Sequence, residues 1–402
     1  MSRSADVQAW LEPRADDMAE LLMELVALDT ENPPGRKLGR CAETLRDAMD
    51  GLGLAPEIIE VTGHAELEDP CIVIGSTGDG AETVYFHGHF DVVPAQRRDQ
   101  FQPQRIDGRI TGRGTADMKG GLVSMLYGAA AARDLGMLRD RRIVFRFVCD
   151  EETGGHAGSG HLRDAGLIDP EARAMLCAEP TAPVVWRACR GAITMRVGVR
   201  GREAHVGQAH MGVNAFEHVT SIAAPLHRLA HEMLDEHTDM LVSEGDSAGS
   251  LLVVGGQAAA GANFNVVPGH AWFSLDLRFN PEQRLDAQLA LLTDTISQAA
   301  ADAGADVTID VLQTEPSSDT EPDSPAAVTL ARCIEAVEGQ PAPFVLSPGN
   351  VDIRFYSQMG VPAFAYGAGR LDISHGPDEF IDELAMRRCA AVYALFASEP
   401  HQ

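Results

Sequence analysis

The sequence predicts an α/β protein in which a domain built on a mostly parallel sheet is interrupted by a smaller α+β domain with an antiparallel sheet. Three observations carry this. Short continuous apolar runs alternate with helical segments through the first half, the pattern of a sheet covered on both faces. From about residue 190 the strands instead alternate apolar and polar side chains, which marks one wet face and antiparallel pairing. After a polar, proline-rich stretch at 313–325, "QTEPSSDTEPDSP", the buried rhythm resumes. The expected division is 1–190, 191–312 and 313–402, with the first and last parts forming one domain. A chain of 402 residues is long enough for such a core and for more than one domain.

Taken in order, "MAELLMELVALDT" (18–30) has helical apolar spacing, and "CAETLRDAMDGLG" (41–53) repeats it and stops at glycine. "CIVIG" (71–75), "TVYFHG" (83–88), "IVFRFVC" (143–149) and "AMLCA" (174–178) read as buried strands, with "GGLVSMLYGAAAARDLG" (120–136) a helix between the second and third. In the insertion, Ile193, Met195, Val197 and Val199 alternate with Thr194, Arg196, Gly198 and Arg200. Phe273, Leu275, Leu277 and Phe279 likewise alternate with Ser274, Asp276 and Arg278. Two helices accompany these strands: 213–234, kinked at Pro225, and 281–304, which opens on proline and closes on glycine with Leu285, Leu289, Leu292 and Ile296 on one stripe. "AAVTLARCIEAVEG" and "VPAFAYGAG" then restore helix and buried strand. There is no internal repeat.

The formal net charge of −27 would repel phosphates and argues against nucleic acid as a partner. Only Lys37 and Lys119 are lysines, and the acidic residues are dispersed, which describes a solvated surface. No apolar run approaches the length of a membrane span, so no membrane partner is expected. "MSRSADVQAWLEPRADD" has no apolar segment after its basic residue, which predicts a cytoplasmic protein without a secretory signal. Seven cysteines without a C-x-x-C, several inside apolar strands, predict a reduced compartment with neither a disulfide framework nor a thiolate metal site.

Ligands of an open α/β sheet bind beyond the carboxyl ends of its strands, so the polar residues found there matter most. "VYFHGHFDVVPA" sets His87, His89 and Asp91 two apart, on one face if the strand continues. Asp150, Glu151 and Glu152 follow the third buried strand, Glu179 the fourth, and His375 lies in "GAGRLDISHGPDEF" after "AFAYG". Asp117 sits in the glycine-rich turn "TGRGTADMKGG" just before a helix. Any one of these reads as a cap, a surface acid or a satisfied histidine. Several acids converging with two histidines would repel unless protons or cations neutralised them, and mixed nitrogen and oxygen ligands suit zinc, with cobalt or manganese tolerated. Spacing alone does not choose between His87 and His89.

In that order, "HFDVVP", "GRGTADMKGG", "DEETGG", "AEP" and "SHGPDEF" resemble the five motifs of the M20 metallopeptidase and deacylase family, which includes acetylornithine deacetylases, succinyl-diaminopimelate desuccinylases, aminoacylases and glutamate carboxypeptidases. The resemblance spans nearly the whole chain. It implies a catalytic domain with an inserted lid and dimerisation domain, and two divalent cations, zinc or cobalt. His89, Asp117 and Glu179 would hold one cation and Asp117, Glu152 and His375 the other, with Asp91 supporting His89 and Glu151 as general base. His87 is then a neighbour with a packing or hydrogen-bonding role. "GREAHVGQAHMGVNA" resembles the lid motif whose histidine, here His205, stabilises the developing oxyanion, in dimeric members from the partner subunit. His210 is its neighbour, after Ala209 where proline is frequent.

Arg278 and Asn265, in "NFNVVP", match lid positions that bind a substrate carboxylate, and Arg354 in "SPGNVDIRF" is a further carboxylate candidate. The alternative for Arg278 is a solvated strand residue. Val351 stands where a hydroxyl residue is usual, a departure from the desuccinylase pattern. The implied activity is removal of an acetyl, succinyl or similar group from an N-acyl amino acid by a homodimer. A dipeptidase or carboxypeptidase on the same site is the nearest alternative, and a binding protein on an inactive fold the remotest.

Overall fold

A computed structural model describes residues 3–400. The chain divides into two compact units. The first comprises the residues up to Arg187, Thr320–Phe344 and those from Val351 onward; the second comprises Ala188–Asp319 with Val345–Asn350. The sequence had placed the later boundary at 312/313. Gln313–Glu315 instead complete a strand, Asp306–Glu315, paired along Gly191–Arg200, and this carries the second unit on to Asp319.

In the first unit the sheet runs Glu57–Glu60, Cys71–Thr77, Arg141–Val148, Glu82–His89, Ala174–Cys177 and Ala363–Ala365. It is parallel through the last four of these strands and antiparallel toward Glu57–Glu60. His89, Val148, Cys177 and Ala365 therefore end at one edge, and the segments that follow them carry the polar residues singled out above. Parallel neighbours need long crossovers. Gly120–Asp134 is one such crossover, almost wholly buried, as expected of a helix that is apolar all round. It packs on the helix Glu383–Ser398, and Gly128 permits the contact: a Cβ there would lie 2.5 Å from the carbonyl oxygen of Ala390. The two expected N-terminal helices are present as Ala15–Val26 and Leu38–Gly51, preceded by Arg3–Leu11, which the sequence reading did not include.

In the second unit, an antiparallel sheet in the order Leu251–Ala260, His270–Phe279, Gly191–Arg200, Asp306–Glu315 packs under the helices Ala215–Asp235 and Leu285–Ala303. Ile193, Met195, Val197, Val199, Phe273, Leu275, Leu277 and Phe279 form its core, as their alternation predicts. Pro225 lies inside the first helix. The second helix begins at Leu285, so Pro281 precedes it, and it ends at Gly304 with φ 61°, where glycine carries little steric cost. Among the described residues no helix is long and apolar enough to cross a membrane.

Candidate active site

His89 ends its strand with Nε2 3.2 Å from Asp117 Oδ1, while His375 Nε2 lies 3.2 Å from Asp117 Oδ2 and 3.5 Å from Glu152 Oε2. One carboxylate thus stands between two imidazole nitrogens, and its buried Oδ1 makes no hydrogen bond. Potential ligand atoms of His89, Asp117 and Glu152 lie within 4.8 Å of one another, as do those of His89, Glu151 and Glu179. Distance alone therefore leaves Glu151 as able to ligate as Glu179. His375 is half exposed, whereas His89, Asp117 and Glu179 are buried. Its backbone adopts φ 61°.

The strand stops at His89, so Asp91 lies beyond it and works largely through its neighbours. Its backbone oxygen is 3.0 Å from His89 Nδ1, closer than its carboxylate at 3.4 Å. A carbonyl can only accept, so Nδ1 carries the proton and Nε2 is free to ligate. The Asp91 carboxylate accepts the backbone N–H groups of Glu151 (3.3 Å) and Glu152 (3.2 Å) and fixes the turn that presents both acids. Asn32 Nδ2, 3.0 Å from Asp91, Asp150 and Thr153 alike, knits the same turn. Sequence reasoning missed Asn32, and nothing in "ENPPG" marks it.

Burial opposes the charge on His89, yet the Asp117 and Asp91 carboxylates beside it hold its pKa well above the usual value. Bonds to Asp117 and Glu152 lift His375 to about 10. Burial also opposes ionisation of Asp117, but the two histidines hold its carboxyl below the usual range. Burial, then the charge of Glu179, pushes Glu151 well up; burial, then Asp117, raises Glu179 to about 8. Glu152 is raised by burial against the pull of His375. Burial and mutual repulsion thus oppose ionisation of these acids, a cost that a nearby positive charge would remove.

His87 is turned to other work: Nδ1 lies 3.1 Å from Tyr356 Oη and Nε2 3.0 Å from Asp352 Oδ2, which also accepts from Ser159 Oγ at 2.6 Å. Arg354, a carboxylate candidate in the sequence, lies in the first unit. Its side chain is only 2% exposed, and Nη2 donates at 2.9 Å to the carbonyl of Gly154, bracing the turn after Glu152, so a substrate carboxylate would have to compete with that bond.

The second unit holds the other predicted residues. His205 is exposed, its Nδ1 accepting from Gly207 N at 3.1 Å. Exposed Asn265 is its neighbour, accepting the Val206 N–H at 2.9 Å through its backbone oxygen. Arg278 is half-buried and paired with Asp276 at 2.8 Å, so a substrate carboxylate would compete with that partner. His210 is exposed.

Histidines and carboxylates gathered at the strand ends of an α/β sheet are suited to hydrolysis. Residues 85–399 match the family described as Peptidase family M20/M25/M40, and the chain belongs to that family: it is a hydrolase acting on amide bonds. Among its relatives are a succinyl-diaminopimelate desuccinylase of Methylobacterium radiotolerans, 29% identical over 94% of this chain and 95% of that one. An acetylornithine deacetylase of Myxococcus xanthus is 28% identical over 93% and 94%. The fold is shared with the di-peptidase Dug1p from Saccharomyces cerevisiae, at TM-score 0.80 and 15% identity over 100% of both chains.

Proposed function

We propose that this hydrolase removes an acyl group, acetyl, succinyl or similar, from an N-acyl amino acid with the help of two divalent cations, zinc or cobalt. The observation that carries the reading is Asp117, one carboxylate oxygen 3.2 Å from each of two histidine Nε2 atoms. A bridging carboxylate between two nitrogen ligands is the donor set a cation pair requires, and the unbonded Oδ1 suits it. His89, Asp117 and Glu179 would hold one ion; Asp117, Glu152 and His375 the other. Bound there, the pair would bring a water's pKa to about 7 and polarise the substrate carbonyl.

The chain's own residues supply the proton traffic. Glu151, beside Glu152 in the same turn, takes the water's proton and passes it to the amine as the C–N bond breaks, so that an acid and a free amino acid leave. Asp91 fixes the His89 tautomer and the turn carrying Glu151. His205 is the proposed donor to the carbonyl oxygen, worth roughly 10²–10³ in rate, with homodimerisation bringing it to the site of the partner subunit. Arg278 and Asn265 are the proposed contacts to a substrate carboxylate, Arg278 by exchanging Asp276 for it. A cytoplasmic location is part of the reading and is supported by seven buried cysteines, none of them in a disulfide among the described residues.

The deacylase reading is supported by the names of the sequence relatives. It is tested by a hydrolysis screen of N-acetyl and N-succinyl amino acids beside dipeptides, with Zn²⁺ or Co²⁺ added and metal content measured. Turnover of an N-acyl amino acid at least about tenfold above any dipeptide is expected. Preference for dipeptides would move the assignment to a dipeptidase or carboxypeptidase. Absence of both metal uptake and turnover would leave a binding protein.

A further inference from the structure

Two charged residues inside the motifs have no part in that scheme: Arg113 in "GRGTADMKGG" and Glu379 in "SHGPDEF". They form a buried ion pair, Arg113 Nη1 to Glu379 Oε2 at 2.6 Å, with 1% and 0% of their side chains exposed. Taking two charges out of water is costly unless the remaining lone pairs and protons find partners. Here the partners belong to the cation site. Glu379 Oε1 accepts the backbone N–H groups of Gly114 (3.0 Å), Ala116 (2.9 Å) and Asp117 (3.1 Å). Arg113 Nη2 donates to the backbone carbonyl of His375 at 3.1 Å, an oxygen that also accepts from Gln96 Nε2 at 2.9 Å. His375 has φ 61°, in the left-handed region that side-chain-bearing residues enter rarely. One ion pair is thus bonded at one end to the main chain of Asp117 and at the other to that of His375.

We propose that Arg113 and Glu379 are positioning residues: the pair clamps the Asp117 turn to the His375 loop and so sets the spacing of the two ligands, and with it the affinity of the cation they share. This rests on the reading of Asp117 and His375 as ligands. Without the clamp, His375, half exposed on its loop, has fewer bonds holding its imidazole toward Asp117.

The test uses Glu379→Gln, which keeps the shape but removes the charge, and Arg113→Lys, which keeps the charge but not the fork that reaches Glu379 and His375 together. Full-length protein freed of metal is titrated with Co²⁺ alone, followed by calorimetry and visible absorption. Wild type is expected to take up two ions. In each variant the ion held with His375 should weaken by about 10–100-fold with an altered spectrum, and the other, which shares Asp117, should weaken less. Leu330→Ala, a cavity in the core of the same unit, serves as the control for lost stability and should leave both steps unchanged. Wild-type affinity and spectrum in folded Arg113→Lys or Glu379→Gln would overturn the clamp, as would equal weakening in Leu330→Ala. Should Glu379→Gln not fold, Arg113→Lys carries the test. Failure of the wild type to take up Co²⁺ would instead overturn the metal reading, and the clamp with it.

Discussion

Glu151→Gln should stop turnover while leaving the cations in place. Glutamine preserves the size of the side chain but cannot take up a proton. In the native chain, burial and the neighbouring charge of Glu179 push the Glu151 carboxyl well above the usual range, which makes it a stronger base than an ordinary glutamate. A positioned acid or base contributes about 10²–10⁴ in rate. At about 1.4 kcal/mol per tenfold, that is about 3–5 kcal/mol of barrier. Glu151 would serve both the attack and the departure of the amine, so the loss should fall at the upper end. The geometry also permits a rival role, since Glu151 lies within 4.8 Å of ligand atoms of both His89 and Glu179. The assay is kcat with metal content measured on the same sample, followed by the pH profile of kcat/KM, whose acid limb reports ionisation of the free enzyme's base. A fully metallated variant with kcat within tenfold of wild type, or with the acid limb intact, would refute the assignment. Loss of a cation instead would make Glu151 a ligand.

Other consequences follow from the same geometry. His375, lifted to about 10 by its bonds to Asp117 and Glu152, and Glu179, raised to about 8 by burial and Asp117, both hold protons at pH 7 in the metal-free site. Cations must displace them, so metal affinity should rise with pH through this range, and calorimetry of Zn²⁺ uptake in buffers of unequal ionisation heat should show at least two protons released, one each from His375 and Glu179 and more if His89 also gives one up; release of none would contradict the ligand set. Asp91→Asn leaves the carbonyl bond to His89 but weakens the acceptor for the Glu151 and Glu152 N–H groups. It should lower kcat/KM by about 10–100-fold, and a loss under about threefold would deny Asp91 this role. Gly121→Ala would put a Cβ 2.5 Å from both Cβ and O of Ala178, the residue before Glu179. Such overpacking should cost about 1–3 kcal/mol in thermal or denaturant unfolding and reduce kcat; an unchanged melting temperature would show that the helix and strand end do not meet so closely.

The parts of the fold legible in the sequence are those whose burial leaves a pattern. The central parallel strands are covered on both faces and read as unbroken apolar runs. His270–Phe279, an inner strand of the second sheet, alternates cleanly, and Gly191–Arg200 beside it alternates in sequence though small residues such as Ala192 and Gly198 are buried on its other face. Its two outer strands were missed for a physical reason: Leu251–Ala260 and Asp306–Glu315 are mostly exposed, so selection for an apolar face is weak and "LLVVGGQAAA" carries no period. In the first unit, the acids and histidines were legible because α/β sheets bring strand ends together. What they do was less so. His87 and His89 share a spacing, and Tyr356, Asp352 and Ser159, all far along the chain, engage His87 in another network. Arg354 matches a recognition motif yet is committed to Gly154, a partner no local pattern announces.

Charge balance among the six clustered groups supports the proposal of two cations over one. Asp117, Glu151, Glu152 and Glu179 crowd one space, and the positive groups bonded within it are His89 and His375. Even with both imidazoles protonated, four ionised carboxylates would leave two uncompensated negative charges in a largely buried site, which explains why burial and mutual repulsion raise three of the four pKa values. One divalent ion bound to neutral imidazoles would leave the same deficit. Two would cancel it among these six groups, and the proposed base Glu151 could then stay ionised.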